Sequence, residues 1–400
     1  MHILVAKKPR VYVASIDEIL NGEATDVYFQ RTKEVLQAAG LSDIKVRMEV
    51  HLYGNPPEGR NWAVYAGLEE ALSLLKDRPF SVYSVPEGTI FVKKMPLMIV
   101  EGKYIDFVLL EASLLGLLRF SSSIATKTAS LKRVVGNKNL LFFGLRALHP
   151  AVFPAADRAA YIGGADSVSG LLSEKYLGLK PQGTMPHALI LMFGDQKEAW
   201  KWFAKIYEGK INLIALADTL DDERKEALMA AHLLGDKLWG IRLDTPSSRR
   251  GNMKDIVEEI RWTLDINGFK NVKIIVSGGL DENSIANLRD IVDGFGVGTS
   301  IATAPSVDLS MDIVEIDRGN GWEPYTKRGK LPGAKKVYSC KPLEYYIKYW
   351  DDQDIPVCKD LSDKPKNLMV KYIENGKLIE ELPSLDQIRN YVLNQLPYTQ

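Results

Sequence analysis

Much of what would mark a hydrolase or a metalloprotein is missing from this chain. It has 2 cysteines, Cys340 and Cys358, with no C-x-x-C spacing, so a disulfide framework is not expected and a reduced, cytoplasmic setting fits better. No H-E-x-x-H and no G-x-S-x-G occurs, which removes the basis for zinc-hydrolase and serine-hydrolase chemistry. Charge of one sign is not in excess: 51 Lys+Arg face 51 Asp+Glu, unlike the basic surface of a nucleic-acid binder. Long apolar runs are lacking too. The most apolar helix, Phe107 to Phe120, contains Glu111 and Arg119 and reads as too short to span a bilayer. Met1 to Val13 carries its charge after a short apolar run and has no cleavage-site pattern, so no signal peptide is expected. Repeats and low-complexity segments are not found.

What is present is a globular composition, 46% hydrophobic and 26% charged, over 400 residues, enough for two or three domains. The first hundred residues read mainly as strands. In Ile44 to Leu52, Val46, Met48, Val50 and Leu52 alternate with Lys45, Arg47, Glu49 and His51, a period of two that predicts a sheet with one wet face. Segments 80–86, 89–93 and 96–101 are short, β-rich and ended by Pro or Gly, as in a small sandwich, and helices near 26–39 and 61–76 should cover the sheet.

From Ile105 the rhythm changes. A long helix of about 105–134 leads to the strand Asn139 to Phe143. Strands near 187–193, 211–217, 237–243, 272–277 and 293–297 then alternate with helices at 196–208, 222–235, 252–267 and 281–290. Repeated βα units predict a parallel sheet with helices outside, open or closed into a barrel. After about 305 strands return, followed by a Pro/Gly-broken, Lys-rich stretch from Lys327 to Lys336 and a final helix, Leu385 to Leu396. The expected division is an α/β N-terminal sandwich domain over 1–105, rejoined by about 305–330, a barrel over 106–304 and a small region over 331–400.

Polar and small residues gather where these strands end: Phe143-Gly144-Leu145-Arg146, Asp218-Thr219, Arg242-Leu243-Asp244, Ser277-Gly278-Gly279 and Gly296-Val297-Gly298-Thr299. In a βα barrel these ends form one rim, where active sites lie. The two glycine loops either make tight turns or let backbone amides approach a phosphate. Arg242 and Asp244, two apart on a strand, share one face as a buried ion pair or as a cation for phosphate beside an acid for Mg²⁺ or sugar hydroxyls. Asp221 and Asp222 read as helix caps, and Asp218 as functional. His187, after Gly183-Thr184-Met185-Pro186, is either structural or a group that carries protons or a phosphoryl.

In this order the segments resemble the nicotinate phosphoribosyltransferase family and, more distantly, its nicotinamide counterpart. Thr25-Asp26-Val27-Tyr28 is similar to that family's T-D-x-Y, and Phe143 to Arg146 to its F-G-x-R. Gly163 to Gly170, with Asp166, is similar to its G-x-D-[ST] segment, Gly183 to His187 to its G-T-M-x-H, and Leu331 to Lys336 to a P-G-x-K stretch. The match runs from about 20 to 340 and is carried by the ordered set. The resemblance implies a split sandwich domain, an irregular βα barrel, and an active site completed by a second subunit of a homodimer or larger homo-oligomer. The implied reaction joins nicotinate to 5-phosphoribosyl 1-pyrophosphate (PRPP), coupled to ATP hydrolysis through a phosphohistidine that His187 matches.

The resemblance also implies roles. Asp26, Tyr28, Phe143, Arg146 and Asp166 would hold the pyridine, with Tyr28 of the partner subunit stacking against Phe143. His187, Asp218, Arg242 and Asp244 would be catalytic, Asp244 holding Mg²⁺, and Ser277, Gly278, Gly279, Gly296, Gly298 and Thr299 would take the 5′-phosphate. Two departures are visible: Ala147 stands where the family often has a second arginine, and the two cysteines cannot form the four-cysteine zinc knuckle of some relatives, so no structural zinc is expected. The related quinolinate phosphoribosyltransferases and an inactive nucleotide-binding barrel are the competing readings.

Overall fold

A computed structural model describes residues 10–249 and 251–399, so the expectation for the extreme N-terminus lies largely outside it. After a short helix, Ile16–Leu20, come helix α1 (Val27–Ala38) and strand β1 (Lys45–Leu52), whose Val46, Met48, Val50 and Leu52 are buried as their alternation requires. The other face of β1 is not wet. Glu49 and His51 are 4% and 7% exposed. Lys335 Nζ reaches Glu49 Oε2 at 3.0 Å, and Asp312 Oδ2 lies 3.2 Å from His51 Nε2. Polar residues alternate here because they meet one another under the Lys-rich stretch, which a period of two cannot distinguish from solvation.

Strand β2 (Ser81–Ser84) and strand β3 (Pro96–Lys103) follow helix α2 (Leu68–Leu75), which is shorter than expected because Ala63–Val64 pairs as a strand with Ile90–Phe91. Helix α3 (Glu111–Val135) continues a helical run from Tyr104, long and apolar enough by length and composition to cross a membrane, contrary to the shorter reading. Its buried face is rich in hydroxyls used by the fold. Thr126 Oγ1 accepts from Val64 N at 2.8 Å, Ser122 Oγ from Ala66 N at 3.0 Å, and Ser123 Oγ from Val307 N at 2.9 Å. These bonds tie the N-terminal sheet to the barrel and make α3 a core helix.

The barrel strands are β4 (Asn139–Phe142), β5 (Leu213–Leu216), β6 (Leu238–Leu243), β7 (Lys273–Ser277) and β8 (Gly294–Val297). They pair in parallel in the order β4-β8-β7-β6-β5, and Ser167 adds an isolated parallel bridge to Leu141. Helix α4 (Phe153–Ile162) follows β4. The run expected as a strand near 187–193 is helix α5 (His187–Phe193), so the five strands pair as an open parallel sheet rather than in the expected closed set. A short apolar run fits either state, and here Ile190 is buried while Leu191 and Met192 face solvent. Helices α6 (Gln196–Tyr207), α7 (Glu223–Leu234), α8 (Met253–Ile266) and α9 (Glu282–Leu288) cover the strands outside.

Strand β9 (Leu309–Asp317) returns to pair antiparallel with β1. Strands β10 (Lys335–Lys341) and β11 (Glu344–Tyr349) form a hairpin, and β12 (Val370–Glu374) pairs with β2. Of the sequence after 331, β12 and Lys377–Leu378 join the N-terminal sheet, while β10 and β11 form a separate three-stranded sheet with Lys366–Asn367. Helix α10 (Leu385–Gln395) ends at Gln395, whose amide bonds Ile90 N and Gly88 O, both at 2.9 Å. Cys340 and Cys358 form a disulfide, against expectation, with Cα atoms 5.7 Å apart. The chain after β11 folds back onto β10 and brings them together, a tertiary contact that cysteine spacing does not encode.

Candidate active site

The carboxyl ends of β4, β6, β7 and β8 surround a cavity of about 490 Å³. Phe143, Arg146, Arg242, Asp244, Ser277, Gly278, Gly279, Gly296, Gly298 and Thr299 all line it, together with Leu145, Ser169, Thr184, Asp281 and Ser300. Strand β6 places Arg242 and Asp244 on the same side, as its period requires. Arg242 is fixed on every side. Its Nε donates to Ser277 Oγ at 3.1 Å, its Nη2 to Asp244 Oδ2 at 2.9 Å, and its Nη1 to Thr184 Oγ1. Asp244 Oδ1 accepts from Ser277 Oγ at 2.8 Å. The ion pair is thus real and sits in the cavity wall, a cation held in place before any ligand arrives.

The glycines are there for two reasons. Gly278 has φ +91°, and a Cβ on it would sit 3.0 Å from Asp244 Oδ1. Gly296 lies under the Phe143 ring: a Cβ there would be 2.6 Å from ring atom Cδ2. The absence of a side chain on β8 therefore makes the seat for the aromatic face presented by the end of β4. Arg146, in the turn after Phe143, is exposed and forms no ion pair among the described residues.

His187 stands at the first position of α5 beside this wall. Its Nδ1 lies 3.1 Å from Thr219 Oγ1 and 3.9 Å from Asp218 Oδ1, and its Nε2 lies 3.6 Å from Asp244 Oδ2. Asp218 is buried at the end of β5. Its Oδ2 accepts from Asp244 N and from Thr245 Oγ1, while Oδ1 has no partner. Burial pushes its pKa up, opposed by the Asp244 amide and by His187. The loop after β5 is held by Glu226, a fully buried glutamate. It accepts from the amides of Thr219 at 3.0 Å and of Leu220 and Asp221 at 2.8 Å. Glu226 and Thr184 escape sequence reading, because a glutamate on a helix and a threonine in a loop carry no spacing signal. Asp222 caps α7 as expected, accepting from Lys225 N at 3.1 Å.

Five expected residues do not line this cavity: His187 and Asp218, which stand beside its Asp244 wall, and Asp166, Asp26 and Tyr28. Asp166 sits at the start of β4, the strand's other end from Phe143. It accepts from Leu140 N at 2.8 Å and pairs with Lys132 at 2.8 Å and Arg389 at 2.7 Å. It ties α3, β4 and α10 together and does not touch a ring in the cavity. Asp26 and Tyr28, at the cap and second residue of α1, are exposed and line no part of the cavity. Asp244, the residue expected to hold Mg²⁺, gives one carboxylate oxygen to Arg242 and the other to Ser277, and no group of three His, Cys, Asp or Glu side chains among the described residues could hold a metal by itself.

Comparison with known proteins agrees with this geometry. Residues 26–122 match the quinolinate phosphoribosyl transferase N-terminal domain and 124–312 its C-terminal domain. The chain is 46% identical to nicotinate-nucleotide pyrophosphorylase from Pyrococcus furiosus, covering 98% of both chains with a TM-score of 0.93. It is 28% identical to nicotinate phosphoribosyltransferase of Bacillus subtilis over 93% of this chain and 88% of that one. Human nicotinic acid phosphoribosyltransferase shares the fold at 20% identity, with a TM-score of 0.74 and 94% of both chains covered.

Proposed function

The chain belongs to the phosphoribosyltransferase family defined by its quinolinate phosphoribosyl transferase N- and C-terminal domains, and from its similarity to nicotinate phosphoribosyltransferases we infer that it joins nicotinate to PRPP, giving nicotinate mononucleotide and pyrophosphate. The observation that carries the reading is the rim itself: an aromatic face on Gly296, a fixed arginine and two glycine loops open on one cavity. In the reaction the pyridine nitrogen donates its electron pair to ribose C1, and the C1–oxygen pair leaves with pyrophosphate. No base is needed, because that nitrogen carries no proton. Phe143 orients the ring, and the fixed charge of Arg242 stabilises negative charge on the leaving group. Arg146, unpaired at the mouth, faces the ring carboxylate. Backbone amides of 277–279 and 296–299 take the 5′-phosphate. Any Mg²⁺ arrives with the pyrophosphate, and no step here is assigned to it.

ATP coupling is proposed through His187. With Nδ1 held by Thr219, Nε2 is left as the nucleophile beside Asp244. A phosphoryl group there would extend an anionic contact toward Arg242 and couple ATP cleavage to PRPP binding. We further propose a homodimer or larger assembly in which α1 of one subunit brings Tyr28 to the cavity of another, in the cytoplasm, where its phosphorylated substrates are confined.

Quinolinate is the second reading, favoured by the matching domain descriptions. Against it, Arg146 and Arg242 are the only cations lining the cavity among the described residues, few for two ring carboxylates, a 5′-phosphate and a pyrophosphate. One assay separates them: PRPP-dependent mononucleotide formation from nicotinate, quinolinate and nicotinamide, with and without ATP. Nicotinate should be preferred and accelerated by ATP. His187→Ala should lose PRPP-stimulated ATPase yet keep slower, ATP-independent synthesis. Carbon dioxide release from quinolinate at the faster rate would reverse the assignment.

A further inference from the structure

Outside the cavity, a densely satisfied charged cluster surrounds Lys127, which lies in the second half of α3 and is 6% exposed. Its Nζ lies 3.0 Å from Glu58 Oε1 and 2.9 Å from both carboxylate oxygens of Glu282. Arg60 closes the ring: Nη2 donates to Glu282 Oε1 at 2.9 Å and to Ser130 Oγ at 2.9 Å, and Nη1 pairs with Glu58. Ser130 Oγ adds a third bond to Glu282 Oε1, at 3.2 Å. Two cations and two anions cancel, so the cluster needs no further partner. Glu58 itself takes φ +57°, which a side chain disfavours, and its bonds to Lys127 and Arg60 hold it there.

What the cluster holds is specific. Glu282 is the first residue of α9 and directly follows Asp281, which lines the cavity at the end of the Ser277-Gly278-Gly279 loop. The loop is held at Ser277 by Arg242 and Asp244 and at Asp281 by Ser284, while between them Gly278 and Gly279 both adopt positive φ and a Cβ on Gly279 would meet nothing within 4 Å. We propose that Glu58, Arg60, Lys127 and Glu282 are positioning residues that clamp the phosphate-contacting glycine loop to α3 and to the N-terminal domain, so that its amides are preset for PRPP. This rests on the reading of that loop as a phosphate contact. A loop displaced by a fraction of an ångström loses amide contacts to an anion while the aromatic seat at Phe143 and Gly296, on other strands, is untouched.

The test is a KM split. Glu282→Ala leaves Lys127 paired with Glu58, so the chain keeps its fold. Its KM for PRPP should rise by about tenfold, with the nicotinate KM changed less than about twofold and the melting temperature within a few degrees. Glu282→Gln, which restores hydrogen bonds without charge, should fall between. Equal rises in both KM values with a large fall in melting temperature would show a merely structural cluster and overturn the proposal, as would an unchanged PRPP KM. Gly279→Asp tests the underlying reading separately, since aspartate tolerates positive φ and places a carboxylate where phosphate would sit. If it leaves the PRPP KM unchanged, the loop is not a phosphate site and the proposal falls with it. If it raises that KM and Glu282→Ala does not, the loop reading stands and the clamp alone is wrong.

Discussion

Arg242 shows why a residue of this site behaves as fixed machinery. Three side chains hold its guanidinium, so its charge is in place at no reorganisation cost when a phosphate arrives. Glu111 shows the opposite, a carboxyl the fold holds at a cost. It stands at the start of α3 beside Tyr28, Tyr104, Asp312 and Lys327, and burial, with Asp312 adding to it, pushes its pKa from 4.5 up to about 7. Between those values the folded chain binds a proton that the unfolded chain has lost. Stability therefore falls as pH rises from 4.5 toward 7 and levels above it. Glu111→Gln should leave stability near that of the parent at pH 4.5 and raise it most above pH 7, by less than about 3 kcal/mol. Denaturant midpoints across that range decide it. A gain of equal size at every pH would mean that another group titrates.

At the scale of elements, the site is made by strand ends, and these are the part of the fold most legible in the sequence. Three ends carry glycines (Gly144, Gly278 with Gly279, and Gly296 with Gly298), the other two carry Asp218 and Arg242 with Asp244, and that last pair declares one face by its spacing. Legibility failed where local pattern and tertiary contact disagree. The run His187 to Phe193 is too short to choose between strand and helix. Glu49 and His51 alternate like solvent residues but meet Lys335 and Asp312. Asp166 lies in a family-like segment but turns to Lys132 and Arg389 at the far end of β4. Cys340 and Cys358 are joined only because the chain folds back. The contact between β8 and Phe143 gives a direct test of the element-level reading. Gly296→Ala places a methyl 2.6 Å from the ring, so the ring must shift. The nicotinate KM should rise by roughly tenfold or more while the PRPP KM moves little, and stability should drop by about 1–3 kcal/mol. A nicotinate KM equal to the parent's, in a folded variant, would remove Phe143 from the ring site.

At the scale of the molecule, the N-terminal sheet and the barrel are bound by α3, yet the two parts of the expected pyridine site do not meet within one chain. Phe143 faces the cavity, whereas Tyr28 is 56% exposed on α1, its ring tilted at 38° to that of Phe29 with centroids 4.1 Å apart. Val27 and Val35 leave the same helix 61% and 65% exposed, and Leu191 and Met192 on α5, the helix that begins with His187, are 60% and 85% exposed. Apolar surface of this kind on both α1 and the helix at the cavity mouth fits burial against a second copy, and such burial stabilises an assembly by about 25 cal/mol for each Å² covered. If α1 of one subunit reaches the cavity of another, every site needs Tyr28 from one chain and Arg242 from the other. Tyr28→Ala and Arg242→Met should each be nearly inactive alone. A mixed dimer of the two carries one site with both residues intact, so unfolding and refolding an equimolar mixture should restore about a quarter of the parent activity, by the statistics of random pairing in a two-fold assembly. Mixed dimers confirmed by differently tagged subunits, with no activity recovered, would mean that each site is completed within its own chain.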